Sequence, residues 1–141
     1  MSDCVFCRIL AGELPVSWVH RGERCVALMD IQPVNPGHVL VIPVEHAVSL
    51  TDVPPETAGE MMRIARRVAA ALPASGLRCE GVNLFLADGE AAGQEVFHSH
   101  LHVIPRWRGD AFVLRFGPRD REFPARAALD VAAEAIRRKL N

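Results

Sequence analysis

The chain has 141 residues, half of them hydrophobic, and a formal net charge of −1. That length fits one domain, residues 1–141, with a buried core, and the composition excludes a disordered chain. The near-neutral charge predicts no nucleic-acid partner and no membrane partner, and no apolar run approaches the length of a membrane span.

The first residues, MSDCVFCRIL, start with an acid and lack the basic start and long apolar middle of a signal peptide, so a cytoplasmic location is expected. In a reducing compartment Cys4, Cys7, Cys25 and Cys79 are expected as thiols or metal ligands, with Cys25 and Cys79 in apolar surroundings. In CVFCRILAGELP, Phe6, Ile9 and Leu10 recur at helical spacing, and Gly12 and Pro15 stop the helix. VSWVHRGERCVALMD reads as two strands around a turn at Arg21-Gly22-Glu23. Asn35-Pro36-Gly37 bends the chain, and HVLVIPV follows as a buried β-branched strand.

The longest helix is expected within DVPPETAGEMMRIARRVAAALPASG. Pro54 and Pro55 suit its entry, Met61, Ile64, Ala65, Val68 and Leu72 share a face, and Pro73 and Gly76 end it. GVNLFLAD is a further strand, GEAAGQ a small-residue loop, and EVFHSHLHVIP a last long strand ended by Pro105. FPARAALDVAAEAIRRKL carries a C-terminal helix with basic residues in its last turn. Hairpins and segregated helices in this order predict an α+β fold with a mainly antiparallel sheet, a short N-terminal helix, a long central helix and a C-terminal helix.

His98, His100 and His102 alternate in HSHLHVIP. On a strand they share one face, roughly 7 Å apart, while Ser99, Leu101 and Val103 turn to the core. An inert polar strand face is the plain reading. A metal held by all three is disfavoured, because the outer pair would lie roughly 13 to 14 Å apart and metal–nitrogen bonds are near 2 Å. The third reading is nucleophilic. A neutral imidazole can attack phosphorus if its other N–H is held by a fixed acceptor, with DGEAAGQ offering backbone N–H groups to an anion.

HSHLHVIP after GEAAGQEVF resembles the motif of the histidine triad (HIT) family, His-x-His-x-His followed by apolar residues. CVFCRILAGELP, VALMDIQPVNPGHVLVIPVEH and PRWRGDAF are similar to blocks of bacterial HIT proteins. The resemblance covers about residues 4–112 and leaves 113–141 as a C-terminal extension. It implies a HIT-like fold and a nucleotide hydrolase or nucleotidyl transferase acting at the α-phosphate of a purine nucleotide conjugate. The conjugate would be a dinucleoside polyphosphate or a nucleoside phosphoramidate. It makes His100 the nucleophile, His102 the contact to phosphate and leaving group, and His38 a supporting histidine. Asp30 would bind ribose hydroxyls, Phe6, Ile9, Leu28 and Ile31 the base, and Gly93, Gln94, Glu95 and Val96 the phosphate side, with Gln94 grouped with the catalytic set. It also implies a homodimer with a continuous sheet.

The chain departs from that pattern twice. Ala87 stands where many relatives carry asparagine, and Glu95 where some carry a hydroxyl near the phosphate. A carboxylate there is unfavourable unless protonated or turned away. Both departures leave room for a nucleotide-binding sensor or interaction module with little turnover. Cys4, Cys7, His46 and His98 have the composition of a closed structural zinc site, and the resemblance implies Zn2+ at these positions. A zinc-dependent hydrolase is the remaining alternative.

Overall fold

The computed structural model describes residues 3–115, 117 and 122–140. These fall into two compact units, Met1–Ala111 and Phe112–Asn141. Of the expected C-terminal extension, residues 116, 118–121 and 141 lie outside the described residues. The fold is α+β, as expected from the sequence.

The first unit holds helix α1 (Val5–Leu10), strands β1 (Trp18–Arg21), β2 (Cys25–Met29) and β3 (Val39–Pro43), helix α2 (Pro55–Ala71), and strands β4 (Gly81–Phe85) and β5 (Leu101–Arg106). The strands form one antiparallel sheet in the order β1-β2-β3-β5-β4. The second unit contains helix α3 (Arg126–Arg137), with Arg137 and Arg138 paired to Glu134. Among the described residues, no helix is long and apolar enough to cross a membrane.

Two-residue periodicity divides the sheet into two faces. Cys25, Ala27, Val39, Val41, Leu101 and Val103 turn towards α2 and pack with Met61, Ile64, Ala65 and Val68. Val26, Leu28, Leu40 and Ile42 turn the other way and pack with Phe6 of α1, with Ile9, Trp18 and Val96 around them. β2 and β3 are thus buried on both faces, which is why their sequences are continuous apolar runs. Full burial of a side chain such as Ile42 or Ile64 contributes about 1.5 to 3 kcal/mol. Burial pushes the Cys25 thiol up to about 11, so it behaves as a small core residue.

α2 starts with Pro55 in its first turn, where the missing N–H has no helical partner to lose. It passes into a short 3-10 turn at Leu72–Ala74. Gly37 sits at φ +98°, and a Cβ there would lie 3.0 Å from Leu77 and 3.3 Å from both Leu72 and Pro105. Only glycine permits this turn before β3.

The last strand differs from its expected extent. It begins at Leu101, not Glu95, so His98 and His100 precede it and only His102 lies within it. Ser99 N–H donates to Ala47 O at 2.7 Å, so this stretch is tied to the loop after β3 instead of the sheet ladder. Pro105 does not end the strand either. It lies beyond the last β3–β5 pair, Val39 with Val103, and its carbonyl accepts from Asn35 Nδ2 at 2.9 Å.

Candidate active site and metal cluster

The α1 face of the sheet carries a cavity of about 640 Å³. His38, His100 and His102 line it, together with Phe6, Ile9, Leu28, Asp30, Ile31, Gly93, Glu95 and Val96. Of the expected nucleotide-site residues, Gln94 does not line it. Phe6 and Leu28 are buried, whereas Ile31 is 91% exposed and forms part of the rim.

Hydrogen bonds fix which nitrogen of each histidine carries a proton. His100 Nδ1 lies 2.7 Å from the carbonyl oxygen of His98. A carbonyl only accepts, so Nδ1 donates, and in the neutral ring Nε2 keeps its lone pair. Val34 N–H donates to His38 Nδ1 at 3.0 Å, so the His38 proton is on Nε2. That nitrogen lies 2.8 Å from His102 Nδ1 and 3.4 Å from Asp30 Oδ2. Donation to the nearer partner leaves the His102 proton on its own Nε2. The His100 and His102 rings are 4.9 Å apart, so an acceptor and a donor stand side by side.

Burial keeps both supporting rings neutral. It lowers His38 below the ordinary histidine value, with Asp30 opposing. Burial, then the neighbouring His100 and His38, push His102 down to about 4.

The backbone around these rings is clamped. Asn35 Nδ2 also donates to Asp110 Oδ2 at 2.9 Å, which holds the turn that supplies Val34 N–H. Arg106 grips Asp110 through two bonds of 2.6 and 2.7 Å, and this pairing holds the Asp110 carboxyl well below the usual carboxylate range. Gln94 uses its whole amide on the loop: Nε2 donates to Val48 O and Val96 O, and Oε1 accepts from Gly89 N–H. It is buried behind the cavity wall and sets the path of Gly93 and Glu95.

Three contributors were not visible in the sequence. Phe85 lines the cavity with its ring 5.6 Å from that of His102, because the β4–β5 register sets the two opposite each other. Leu40, the β3 partner of His102, lines it as well. The Asn35–Asp110–Arg106 clamp joins residues 75 positions apart. Strand register sets the first two pairs, and the path of the loops before β3 and after β5 sets the third. Ala87 is buried in the wall of the cavity, and its neighbour Asp88 accepts from Leu50 N–H.

Beside this cavity a second cluster gathers Cys4, Cys7, His46 and His98, whose ligand atoms all lie within 4.8 Å of one another. Cys4 Sγ is 3.5 Å and Cys7 Sγ 3.7 Å from His98 Nδ1, and Cys7 Sγ is 3.3 Å from His46 Nδ1. Tetrahedral zinc, with bonds near 2.3 Å to sulfur and 2.0 to 2.1 Å to nitrogen, requires sulfur–nitrogen separations of about 3.5 Å. His98 Nε2–H donates to Pro43 O at 2.8 Å, which aims the Nδ1 lone pair at the sulfurs. Donor set and spacing therefore fit a closed structural zinc site. Burial lowers His98, and burial followed by the adjacent Cys4 raises Cys7.

The two clusters meet in His98 and Phe6. The His98 ring belongs to the sulfur cluster while its carbonyl holds His100. Phe6 stands edge-on to both rings, 5.6 Å from His98 and 5.2 Å from His100.

Comparison with known proteins gives a consistent assignment. The HIT domain matches residues 11–109. An uncharacterised HIT-like protein of Mycobacterium tuberculosis is 42% identical over 89% of this chain and 86% of its own. An adenylylsulfatase of Arabidopsis thaliana is 36% identical over 77% of this chain and 55% of its own. A HIT family protein of Bacillus anthracis superposes with a TM-score of 0.89, at 34% identity, covering 99% of this chain and 98% of that one. A zinc-bound histidine triad family protein of Mycobacterium smegmatis superposes with a TM-score of 0.76, at 41% identity, covering 95% and 98%.

Proposed function

The chain belongs to the HIT domain family, and on that premise we propose that it is a nucleotide hydrolase or nucleotidyl transferase whose nucleophile is Nε2 of His100. The observation that carries this reading is the 2.7 Å bond from His100 Nδ1 to His98 O, which commits the other nitrogen to the cavity. The base lies against Phe6, Ile9, Leu28 and Ile31, the ribose hydroxyls against Asp30, and the α-phosphate over His100 and His102.

The reaction has two steps. His100 Nε2 forms a bond to the α-phosphorus as the bond from phosphorus to the leaving group breaks. The bond to His98 O steadies the positive charge gained by the ring. His102 Nε2–H donates to a phosphate oxygen or the leaving group, with its orientation set by His38. An amine leaving group takes its proton from solvent. Water then attacks phosphorus, the bond to Nε2 breaks, and the water's proton passes to solvent as neutral His100 returns. With another acceptor in place of water the same intermediate gives transfer. His38, Asn35 and Gln94 are positioning residues in this scheme.

Zinc held by Cys4, Cys7, His46 and His98 would pin the N-terminal segment that carries Phe6 to the stretch just before β5 that carries His100. β4 is a sheet edge with Leu84 and Phe85 exposed, which supports a homodimer built on that edge.

The test is AMP release from adenosine 5′-phosphoramidate, adenylyl sulfate and a diadenosine polyphosphate, repeated with His100→Ala. Turnover by the wild type and its loss in the variant are expected. Full activity in the variant would overturn the mechanism. Tight AMP binding without turnover of any substrate would make the protein a nucleotide-binding module.

A further inference from the structure

The charges lining the cavity are unusual for a site that takes a nucleotide. The chain carries 16 lysines and arginines, yet none of those described lines it. Its charged walls are two carboxylates, Asp30 and Glu95. The supporting histidines add no full positive charge at neutral pH, since His102 titrates at about 4 and burial lowers His38. Polyphosphate chains are ordinarily met by Arg, Lys or a divalent cation, whose charge offsets theirs.

Asp30 belongs to the sugar end. It lies beside His38 and accepts from Gln32 N–H, so its charge is partly engaged. Glu95 is different. It is exposed, has no hydrogen-bond or ion-pair partner among the described residues, and follows the Gly93–Gln94 turn. Gln94 is fixed at both ends of its amide, and Val96 is packed against the α1 face, so the backbone that carries Glu95 is held where its side chain lines the cavity.

We propose that Glu95 is a specificity-determining residue that disfavours bound species carrying extra negative charge at the phosphate end, so that amine leaving groups are preferred to phosphate chains. This rests on the reading that the cavity binds a nucleotide for attack by His100. Coulomb repulsion at roughly 6 to 8 Å, between the screening of a protein surface and that of bulk water, corresponds to about tenfold for each added charge. AMP, with a second phosphate ionisation near pH 6, is close to a dianion at neutral pH, so the same carboxylate also speeds its release.

The experiment compares wild type with Glu95→Gln, a change of charge at nearly constant shape on an exposed residue. kcat/KM is measured for adenosine 5′-phosphoramidate, adenylyl sulfate and a diadenosine polyphosphate at low and high salt, and AMP, ADP and ATP affinities are measured by calorimetry. Glu95→Gln is expected to raise kcat/KM for the polyphosphate at least about tenfold relative to the phosphoramidate, less so at high salt, and to tighten AMP binding by about tenfold or more. Equal changes for all three substrates, or none, would overturn the assignment. If no substrate is turned over, the hydrolase reading fails while Glu95 is still tested. Affinities that fall from AMP to ATP in wild type and level out in Glu95→Gln support its role, and parallel series in both proteins overturn it.

Discussion

His98 and His102 stand at the two ends of one alternating triplet, yet they live in opposite chemical settings. His98 is fully buried, directs Nε2–H to Pro43 O, and turns Nδ1 to two sulfurs. His102 is half-buried, accepts a hydrogen bond from His38 Nε2–H on Nδ1, and faces a cavity of about 640 Å³. Identical side chains at equal spacing enter different settings because the fold engages a different nitrogen, or a different partner, of each ring. His98 bonds a carbonyl through Nε2 and so presents Nδ1 to the sulfurs, and His100 bonds one through Nδ1 and keeps its Nε2 lone pair. His102 accepts from His38 on Nδ1 and so keeps its proton on Nε2, which is the division the proposed reaction uses. The sulfur end has a donor set that fits a structural zinc, and the cavity end is open and carries the groups assigned to the proposed reaction.

The largest effect expected from breaking this contrast is at the reactive end. His100→Ala should lower AMP release about 10³-fold or more while leaving the melting temperature nearly unchanged, measured on purified protein with adenosine 5′-phosphoramidate. Disturbing the sulfur end should do the reverse. Cys4→Ser, or treatment with a chelator, should reduce bound zinc from about one per chain to none and lower stability by about 3 kcal/mol, with a smaller change in kcat. Elemental analysis and chemical denaturation read the two effects separately, and a chelator that abolished kcat without altering stability would make zinc catalytic.

A third effect follows from acid. His102 titrates at about 4 in the folded protein and near 6.5 when unfolded. Its folded value is depressed, so the unfolded chain binds the proton first as pH falls. The stability present above pH 6.5 should therefore be lost progressively between about 6.5 and 4, by about 3 kcal/mol. Denaturation at pH 7 and pH 4.5 checks this, and His102→Gln should show a shallower loss. The smallest effect is at the rim. Ile31→Ala should change stability by less than about 0.5 kcal/mol, since the side chain is 91% exposed, yet raise KM for an adenosine substrate a few-fold.

Much of this contrast is legible in the sequence because it depends on residue type and spacing. The apolar runs of β2 and β3, the α2 face from Met61 to Val68 and the turn at Gly37 follow from local physics. The Cys4, Cys7, His46 and His98 set is named by its chemistry, although 39 to 94 residues separate its hydrogen-bonded members. Pairings between distant strands are not legible in this way. Phe85 meets His102 through register alone, and Asn35 meets Asp110 through the path of two loops. β5 is shorter than its alternating sequence predicts for a related reason. Alternation persists from His98 to His102, but Ala47 takes the Ser99 N–H and His100 takes the His98 carbonyl, so the ladder starts only at Leu101. Gln94 shows the same limit: its position beside the loop is visible, but the engagement of its amide with Val48, Val96 and Gly89 requires the fold.

The most direct test of the division of roles is to catch the covalent intermediate. Wild-type protein mixed with excess adenosine 5′-phosphoramidate, quenched with base to preserve phosphorus–nitrogen bonds, would be digested and mapped by mass spectrometry. The account predicts an adenylyl group on His100 and none in His100→Ala. An adenylyl group on His98 or His102, or rapid turnover by the wild type with no adenylylated histidine at any time, would contradict it.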